Sequence, residues 1–462
     1  MSDAINLFAS DRPAVSIRAI HLDLKGLPPT PERLLSLLKL IAAARYNAVL
    51  VEWEDAFCWN VDPRFRSPTA YTREQVAAFH QEAARLGVEV IPLVQCLGHM
   101  DTPLSIADYA HLREVPENND TLNPLAKGAS EFVAAMVEDV LAATPGIRHF
   151  HLGGDEAWTF STHPDTKAFI AAHGGGDAGK AALYLQHIRP LLALLAKRGV
   201  RPLLWHDMMV HWPKEDLARL GQQADIVAWG YGGHPDRTGY HYNTKYVRRF
   251  VEAGVPLWAA TAYKGAEGPD ADVSDNRARQ FNALAWMELS QRIGPFKGVI
   301  ATAWSRYSTD SLQTIPIDAA LDGLVNVGAI LHDGKTPAGG FAACAAFLAE
   351  QGEKVGWRAC RDVCARLTAA RRKGWEHLKY LHQLLELRER NNGQRGGLHM
   401  LIRIHSMVKR HLDELEKIGD KFRQVFAGRL EPVWIEEYLR TRIAPIRRQY
   451  DQIQQEIDAR RA

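Results

Sequence analysis

The sequence predicts an α/β fold: a (β/α)8 TIM barrel over residues 1–340, followed by an all-helical C-terminal domain over 341–462. Three observations carry this. From about residue 17 to 330, short apolar runs alternate with longer stretches of helical spacing, the pattern of strands that pair in parallel. There are eight such runs, the number that closes a barrel. Past residue 340 the short apolar runs cease and helical spacing takes over. A chain of 462 residues holds one barrel of roughly 250 residues and a smaller unit.

In order, the eight strands are "SIRAIHLDL", "YNAVLVEW", "GVEVIPLV", "GIRHFHLG", "GVRPLLWH", "ADIVAWG", "GVPLWAA" and "KGVIATAW". Stretches such as "PERLLSLLKLIAAAR", "TREQVAAFHQEAARLG" and "GASEFVAAMVEDVLAA" place apolar residues three and four apart, as amphipathic helices do. Gly87, Gly146, Gly199 and Gly254 fall between a helix and the next strand, where a left-handed residue ends the helix. The C-terminal part reads as three long helices, broken near "NNGQRGG" and "AGRLEP".

Polar and aromatic residues gather where the strands end. His21, Asp23 and Lys25 close the first, Glu52, Trp53, Glu54 and Asp55 the second, and Gln95 and His99 the third. Asp155 and Glu156 follow the fourth, Trp205, His206 and Asp207 the fifth, and Trp229 and Tyr231 the sixth. Tyr263 and Lys264 end the seventh, and Trp304, Arg306 and Tyr307 the eighth. A parallel barrel brings all eight of these ends to one face, where such folds house their chemistry.

The stretch "HLGGDEAW" sets Asp155 beside Glu156. Read alone, Gly-Gly-Asp-Glu could start a helix with Asp155 as its cap. Its place at a strand end argues for chemistry instead. Retaining glycosidases hold two carboxyl groups about 5–5.5 Å apart across the sugar. Consecutive residues, with Cα atoms about 3.8 Å apart, approach from one side. Their division of labour is natural if one carboxyl protonates the leaving oxygen and the other serves a group on the substrate. A 2-acetamido group supplies that need: its carbonyl oxygen attacks the anomeric carbon at high effective concentration, forming an oxazolinium ion.

"HLGGDEAW" resembles the His-x-Gly-Gly-Asp-Glu signature of glycoside hydrolase family 20, the β-N-acetylhexosaminidases. "HLDLKGLPP", "VEWEDAF", "VIPLVQCLGHM", "HLREVPE", "TLNP", "LWHDM", "YKGAEGP" and "TAWSRY" are similar, in the same order, to blocks of its hexosaminidase D subgroup. The resemblance implies an exo-acting enzyme that releases terminal GalNAc or GlcNAc from β-glycosides without a cofactor, leaning toward the galacto epimer. It implies that Asp155 orients the acetamido group and that Glu156 acts as acid, then base. It gives His99 a supporting role with Glu54 or Asp55 as its acidic partner. It also implies a wall of Trp205, Trp229 and Trp304, each with core packing as the alternative, and a tyrosine on the acetamido oxygen, Tyr231 in preference to Tyr263. Asp207 is either a substrate contact or a supporting carboxylate. The arginine that grips the sugar hydroxyls in many members is not evident in "HLDLKG", which leaves Asp23, Lys25 and Arg306 as candidates for holding O3 and O4.

Fifty-six basic against 54 acidic residues, a net charge of +2, give no electrostatic case for nucleic acid or an anionic membrane. Five cysteines without paired spacing suit free thiols. "MSDAINLFASDRP" lacks the pattern of a secretory signal, so the cytoplasm is the expected location, with a second copy of the chain as a candidate partner. Two rival classes remain. His21, Asp23, His99, His206, Asp207 and Glu156 could surround a divalent cation, but metal-binding histidine spacing is lacking, so no metal is expected. A glycan-binding protein without turnover would not need the intact acidic pair.

Overall fold

The computed structural model describes residues 7–308, 311–353, 356–390 and 398–459. The strands are β1 (Ile17–Asp23), β2 (Ala48–Glu52), β3 (Glu89–Leu93), β4 (Arg113–Val115), β5 (Asn118–Leu122), β6 (His149–His151), β7 (Arg201–Trp205), β8 (Asp225–Trp229), β9 (Leu257–Lys264) and β10 (Gly298–Ala303). Around the barrel lie α1 (Pro31–Ala43), α2 (Arg73–Arg85), α3 (Asp101–Leu104), α4 (Ala129–Ala143), α5 (Pro164–Ala172), α6 (Gly176–Lys197), α7 (Lys214–Gln223), α8 (Thr244–Glu252), α9 (Asn276–Ile293) and α10 (Leu321–Asp333). They are followed by α11 (Gly340–Glu350), α12 (Gly356–Arg390), α13 (Leu398–Phe426) and α14 (Pro432–Ala459).

All eight expected strands close one parallel barrel in the order β1-β10-β9-β8-β7-β6-β3-β2. Local chemistry sets the helix starts: Thr72 and Gln75 cap α2 reciprocally, and Thr30 caps α1 just before Pro31. Inside the barrel, Leu50, Ile91, Leu203, Trp205, Val227 and Ile300 belong to one apolar plug, on which Trp229 and Trp304 rest. The barrel is therefore a filled core whose chemistry sits at its mouth.

Two features differ from the sequence expectation. β4 and β5 form a hairpin inserted after β3, too short and polar to show as strands. The C-terminal part has four helices rather than three, because the alanine-rich α11 precedes the long ones. The expected break at "NNGQRGG" lies outside the described residues.

The C-terminal helices pack onto loops at the mouth of the barrel. Arg442 of α14 reaches Asp272, in the loop after β9, at 2.5 Å, and both side chains are fully buried. The Tyr438 hydroxyl donates to the same carboxylate at 2.7 Å. Trp434 Nε1 donates to Thr69 Oγ1, in the loop after β2, at 2.7 Å, and Pro29 bridges to Leu430. All five cysteines are free and buried.

Candidate active site

After β6 the chain turns sharply through Gly153 and Gly154, both left-handed, with φ of 61° and 82°. A Cβ at Gly153 would lie 1.8 Å from Gln95 Oε1, and one at Gly154 would lie 2.1 Å from the Tyr184 hydroxyl. Only glycine fits such close approaches. The turn delivers Asp155, 5% exposed, and Glu156, whose side chain is 34% exposed, to the barrel mouth. No helix starts here; the next begins at Pro164, so Asp155 is not a helix cap. Glu156 itself has φ 48°, and Glu54 and His99 share this region with 45° and 54°. Left-handed backbone costs such residues roughly 1–3 kcal/mol each, and strain of this kind clusters at functional sites.

His99 binds the pair together. Its Nε2 lies 3.6 Å from Asp155 Oδ2 and 3.4 Å from Glu156 Oε2. Burial disfavours the imidazolium, but the two carboxylates outweigh it and push the His99 pKa up to about 10. Burial raises Asp155 to about 7; His99 opposes the rise, and Asp207, Glu156 and Glu52 reinforce it. The two titrate as a unit in which the proton rests on the imidazole once Asp155 is ionised.

Asp207 supports both sides of the site. Its Oδ2 accepts from the Glu156 backbone N–H at 2.9 Å and its Oδ1 from the Trp229 indole at 3.0 Å. Burial pushes it up to about 6, and these same hydrogen bonds hold it down against that rise. Of the two roles open to Asp207, this geometry favours the supporting one. Trp229 and Tyr231 stack at 5.3 Å, and Trp304 stands 6.0 Å from Tyr231. With Asp155, Glu156 and His99 these rings line a cavity of about 460 Å³, within the range of small-molecule sites.

Several expected contacts lie elsewhere. Trp205 is 1% exposed, belongs to the apolar plug and packs on His151 at 4.3 Å, so it does not line the cavity. Tyr263 is fully buried, with its hydroxyl directed at the His21 carbonyl at 3.4 Å. Asp23 accepts from the backbone N–H groups of Ser305 at 2.7 Å and Arg306 at 3.3 Å, tying β1 to the end of β10. Lys25 is buried against Asp23 at 3.2 Å and Glu52 at 2.5 Å, which keep it protonated despite its burial. Arg306 pairs with Glu437 of α14. Asp23, Lys25 and Arg306, the candidates for holding the sugar hydroxyls, are thus engaged with these partners, and none of the three is among the residues lining the cavity.

Among the described residues, neither Glu54 nor Asp55 hydrogen-bonds His99. Burial raises Glu54 to about 8, with Lys25 pulling the other way, and its carboxylate accepts from the Thr102 hydroxyl at 3.2 Å. The carboxylates of Asp101 and Asp120, with oxygens within 4.8 Å of a His99 ring nitrogen, come from the segment after β3. Among the described residues this trio is the one group that could close on a cation. Asp120 already accepts from the His99 N–H at 3.3 Å and from the Thr121 hydroxyl at 2.9 Å.

Sequence reasoning missed Tyr240, His241 and Tyr242, which also line the cavity, from the loop after β8. Their signal was "GYHYN", an aromatic cluster in a polar loop. Tyr307, read at the end of the eighth strand but given no role, lines the cavity too.

The pattern of the glycosyl hydrolase family 20 catalytic domain matches residues 58–236. Hexosaminidase D of Bos taurus is 32% identical over 325 residues, covering 68% of this chain and 92% of the relative. Hexosaminidase D of Homo sapiens is 34% identical over 300 residues, covering 63% of this chain and 60% of that longer relative. Among solved structures, Flavobacterium johnsoniae chitobiase superposes with a TM-score of 0.56 at 14% identity, over 97% of this chain and 72% of its own, a likeness of fold. With an Asp-Glu pair at the mouth of a parallel barrel and this identity along nearly the whole bovine relative, the chain belongs to glycosyl hydrolase family 20.

Proposed function

We propose that the protein is an exo-acting β-N-acetylhexosaminidase that releases terminal β-linked GalNAc or GlcNAc by substrate-assisted hydrolysis with retention of configuration. The observation that carries this reading is the shared contact of adjacent Asp155 and Glu156 with one imidazole, at 3.6 and 3.4 Å, inside an aromatic-walled cavity. Two carboxyls on one side of a sugar suit a reaction whose nucleophile comes with the substrate. The acetamido oxygen attacks the anomeric carbon while Glu156 gives its proton to the departing oxygen. Asp155, as the carboxylate, accepts from the acetamido N–H and offsets the positive charge of the oxazolinium. Glu156 then takes a proton from the water that opens this ring.

On this reading Trp229 and Trp304 offer apolar faces to the sugar and Tyr231 meets the acetamido oxygen, a role supported by its position against both tryptophans in the cavity lining. The apolar plug closes the cavity from below, which suits a chain end. We further read residues 341–462 as a helical domain that steadies the loops of the catalytic barrel 1–340, and the cytoplasm as its location. A homodimer is proposed on the same footing. No helix among the described residues is long and apolar enough to cross a membrane.

Release of 4-nitrophenol from its β-N-acetylgalactosaminide and β-N-acetylglucosaminide tests the function. Turnover of at least one epimer, inhibition by a thiazoline that mimics the oxazolinium, and near-complete loss in Glu156→Gln are expected. Absence of turnover on both, or full activity in Glu156→Gln, would sink it.

A further inference from the structure

Two of the stretches quoted above, "HLREVPE" and "TLNP", take no part in lining the cavity. They fall on the β4–β5 hairpin, in which Arg113 pairs with Leu122 and Val115 with Asn118. The hairpin is stitched to both loops that carry the site. On one side β5 holds the loop after β3: the Leu122 N–H donates to the Leu97 carbonyl at 2.9 Å, and the Met100 N–H to the Asp120 carbonyl at 2.9 Å. Between them the His99 N–H donates to the Asp120 carboxylate at 3.3 Å.

On the other side β4 presents Glu114, 1% exposed, to the segment that follows the acidic pair. Its Oε1 accepts from the Thr162 N–H at 2.8 Å, the His163 N–H at 2.9 Å and the Thr166 hydroxyl at 2.6 Å. Its Oε2 is buried and has no hydrogen-bond partner among the described residues. Between Glu156 and Thr162 the chain has little freedom. The Trp158 N–H donates to the Glu156 carbonyl at 2.7 Å, the Phe160 N–H to the Ala157 carbonyl at 3.0 Å, and the Thr162 hydroxyl to the Thr159 carbonyl at 2.7 Å. This run of tight turns passes through Ser161, left-handed at φ 72°, as Glu156 and His99 are. Such conformations persist only where the surroundings hold them. The two loops also touch: a Cβ at Gly98 would lie 2.1 Å from the Asp155 carbonyl oxygen, so their register has no slack.

We infer that Glu114 is a positioning residue for the reaction, which through the hairpin sets the distance at which His99 faces the Asp155–Glu156 pair. It acts by reach rather than by charge, because one oxygen takes all three donors and the other takes none. The inference rests on the reading of Asp155 as the carboxylate that serves the acetamido group.

Two conservative variants separate reach from charge. Glu114→Asp keeps the charge but is one methylene short, so either the hairpin or the segment after Glu156 must shift, and each carries one side of the contact. Glu114→Gln keeps the reach, since its amide oxygen can accept from the same donors. NMR titration of the His99 imidazole needs no turnover, so it tests the hairpin even if wild-type assays were to sink the catalytic reading. The carboxylates push His99 up to about 10. In Glu114→Asp that titration should fall by about 0.5–1 pH unit, because separation weakens the attraction that opposes burial. In Glu114→Gln it should stay within about 0.2 unit, the contacts being kept. The acidic limb of kcat/KM in Glu114→Asp should move to higher pH, since His99 holds Asp155 down. In a His99→Asn background Glu114→Asp should move that limb no further. An unmoved His99 titration in Glu114→Asp, an equal shift in Glu114→Gln, or a further limb shift without His99 would overturn the inference. Weaker stability in urea with neither shift would reduce Glu114 to packing and overturn it as well.

Discussion

Asp207 joins Glu156 to the wall of the pocket: one carboxylate oxygen accepts from the Glu156 backbone and the other from the Trp229 indole, at 2.9 and 3.0 Å. An amide has a single acceptor oxygen, so Asp207→Asn cannot satisfy both donors. Loss of a hydrogen bond to a charged group costs about 1.5–3 kcal/mol, or about 10- to 100-fold. Steady-state kinetics of Asp207→Asn should show kcat/KM down by about that factor with the fold intact by circular dichroism; wild-type kinetics would refute the linkage.

Asp155→Asn keeps the shape of the side chain and removes the charge that, in the proposed mechanism, faces the oxazolinium. Loss of one such contact lowers turnover by about 10²- to 10³-fold. Single-turnover measurements on the preferred nitrophenyl glycoside should place the loss in kcat rather than KM. A purely KM effect would assign Asp155 to ground-state binding.

The pH profile follows from the His99–Asp155 pair. Asp155, raised by burial to about 7, acts as a carboxylate, so kcat/KM should fall as pH drops through about 7. His99 lowers that value, and His99→Asn removes the positive charge. The acidic limb of the variant should therefore move to more alkaline pH. An unmoved or more acidic limb would show that the imidazolium does not govern Asp155.

Arg442 and Asp272 are both fully buried, and Asp272 also receives the Tyr438 hydroxyl. Asp272→Ala leaves a buried guanidinium without its partner, a change that costs about 3–5 kcal/mol. Urea unfolding should register that loss. A variant as stable as wild type would show that the C-terminal helices do not depend on this contact.

Tyr231 lines the cavity, whereas Tyr263 is buried against the His21 carbonyl. Tyr231→Phe should lower kcat by about 10-fold, the worth of one hydrogen bond of about 1.4 kcal/mol. Tyr263→Phe should leave kcat within about 2-fold, because its hydroxyl makes only a long internal contact. Reversed effects in the same nitrophenyl assay would exchange the two roles.

The sequence by itself determined the barrel, because strand-forming runs and amphipathic helices leave period and spacing in the chain, and eight units close in one way. It also determined the acidic pair and the tryptophans at strand ends, since those positions converge wherever the loops run. Only the tertiary structure decided which way each side chain turned. Trp205 and Trp229 both end strands, yet one belongs to the plug and the other lines the cavity: Trp205 is level with Val227, so Trp229 stands two residues higher on the same inward face, a difference of register that no local motif records. Asp23, Lys25 and Arg306 also end strands, and only the fold shows that they meet partners far away in sequence, Ser305, Glu52 and Glu437. The hairpin with Asp120 and the loop with Tyr240 and His241 were hidden for the same reason. Contacts between loops depend on where the barrel brings their ends, and that is a property of the closed sheet rather than of any stretch of chain.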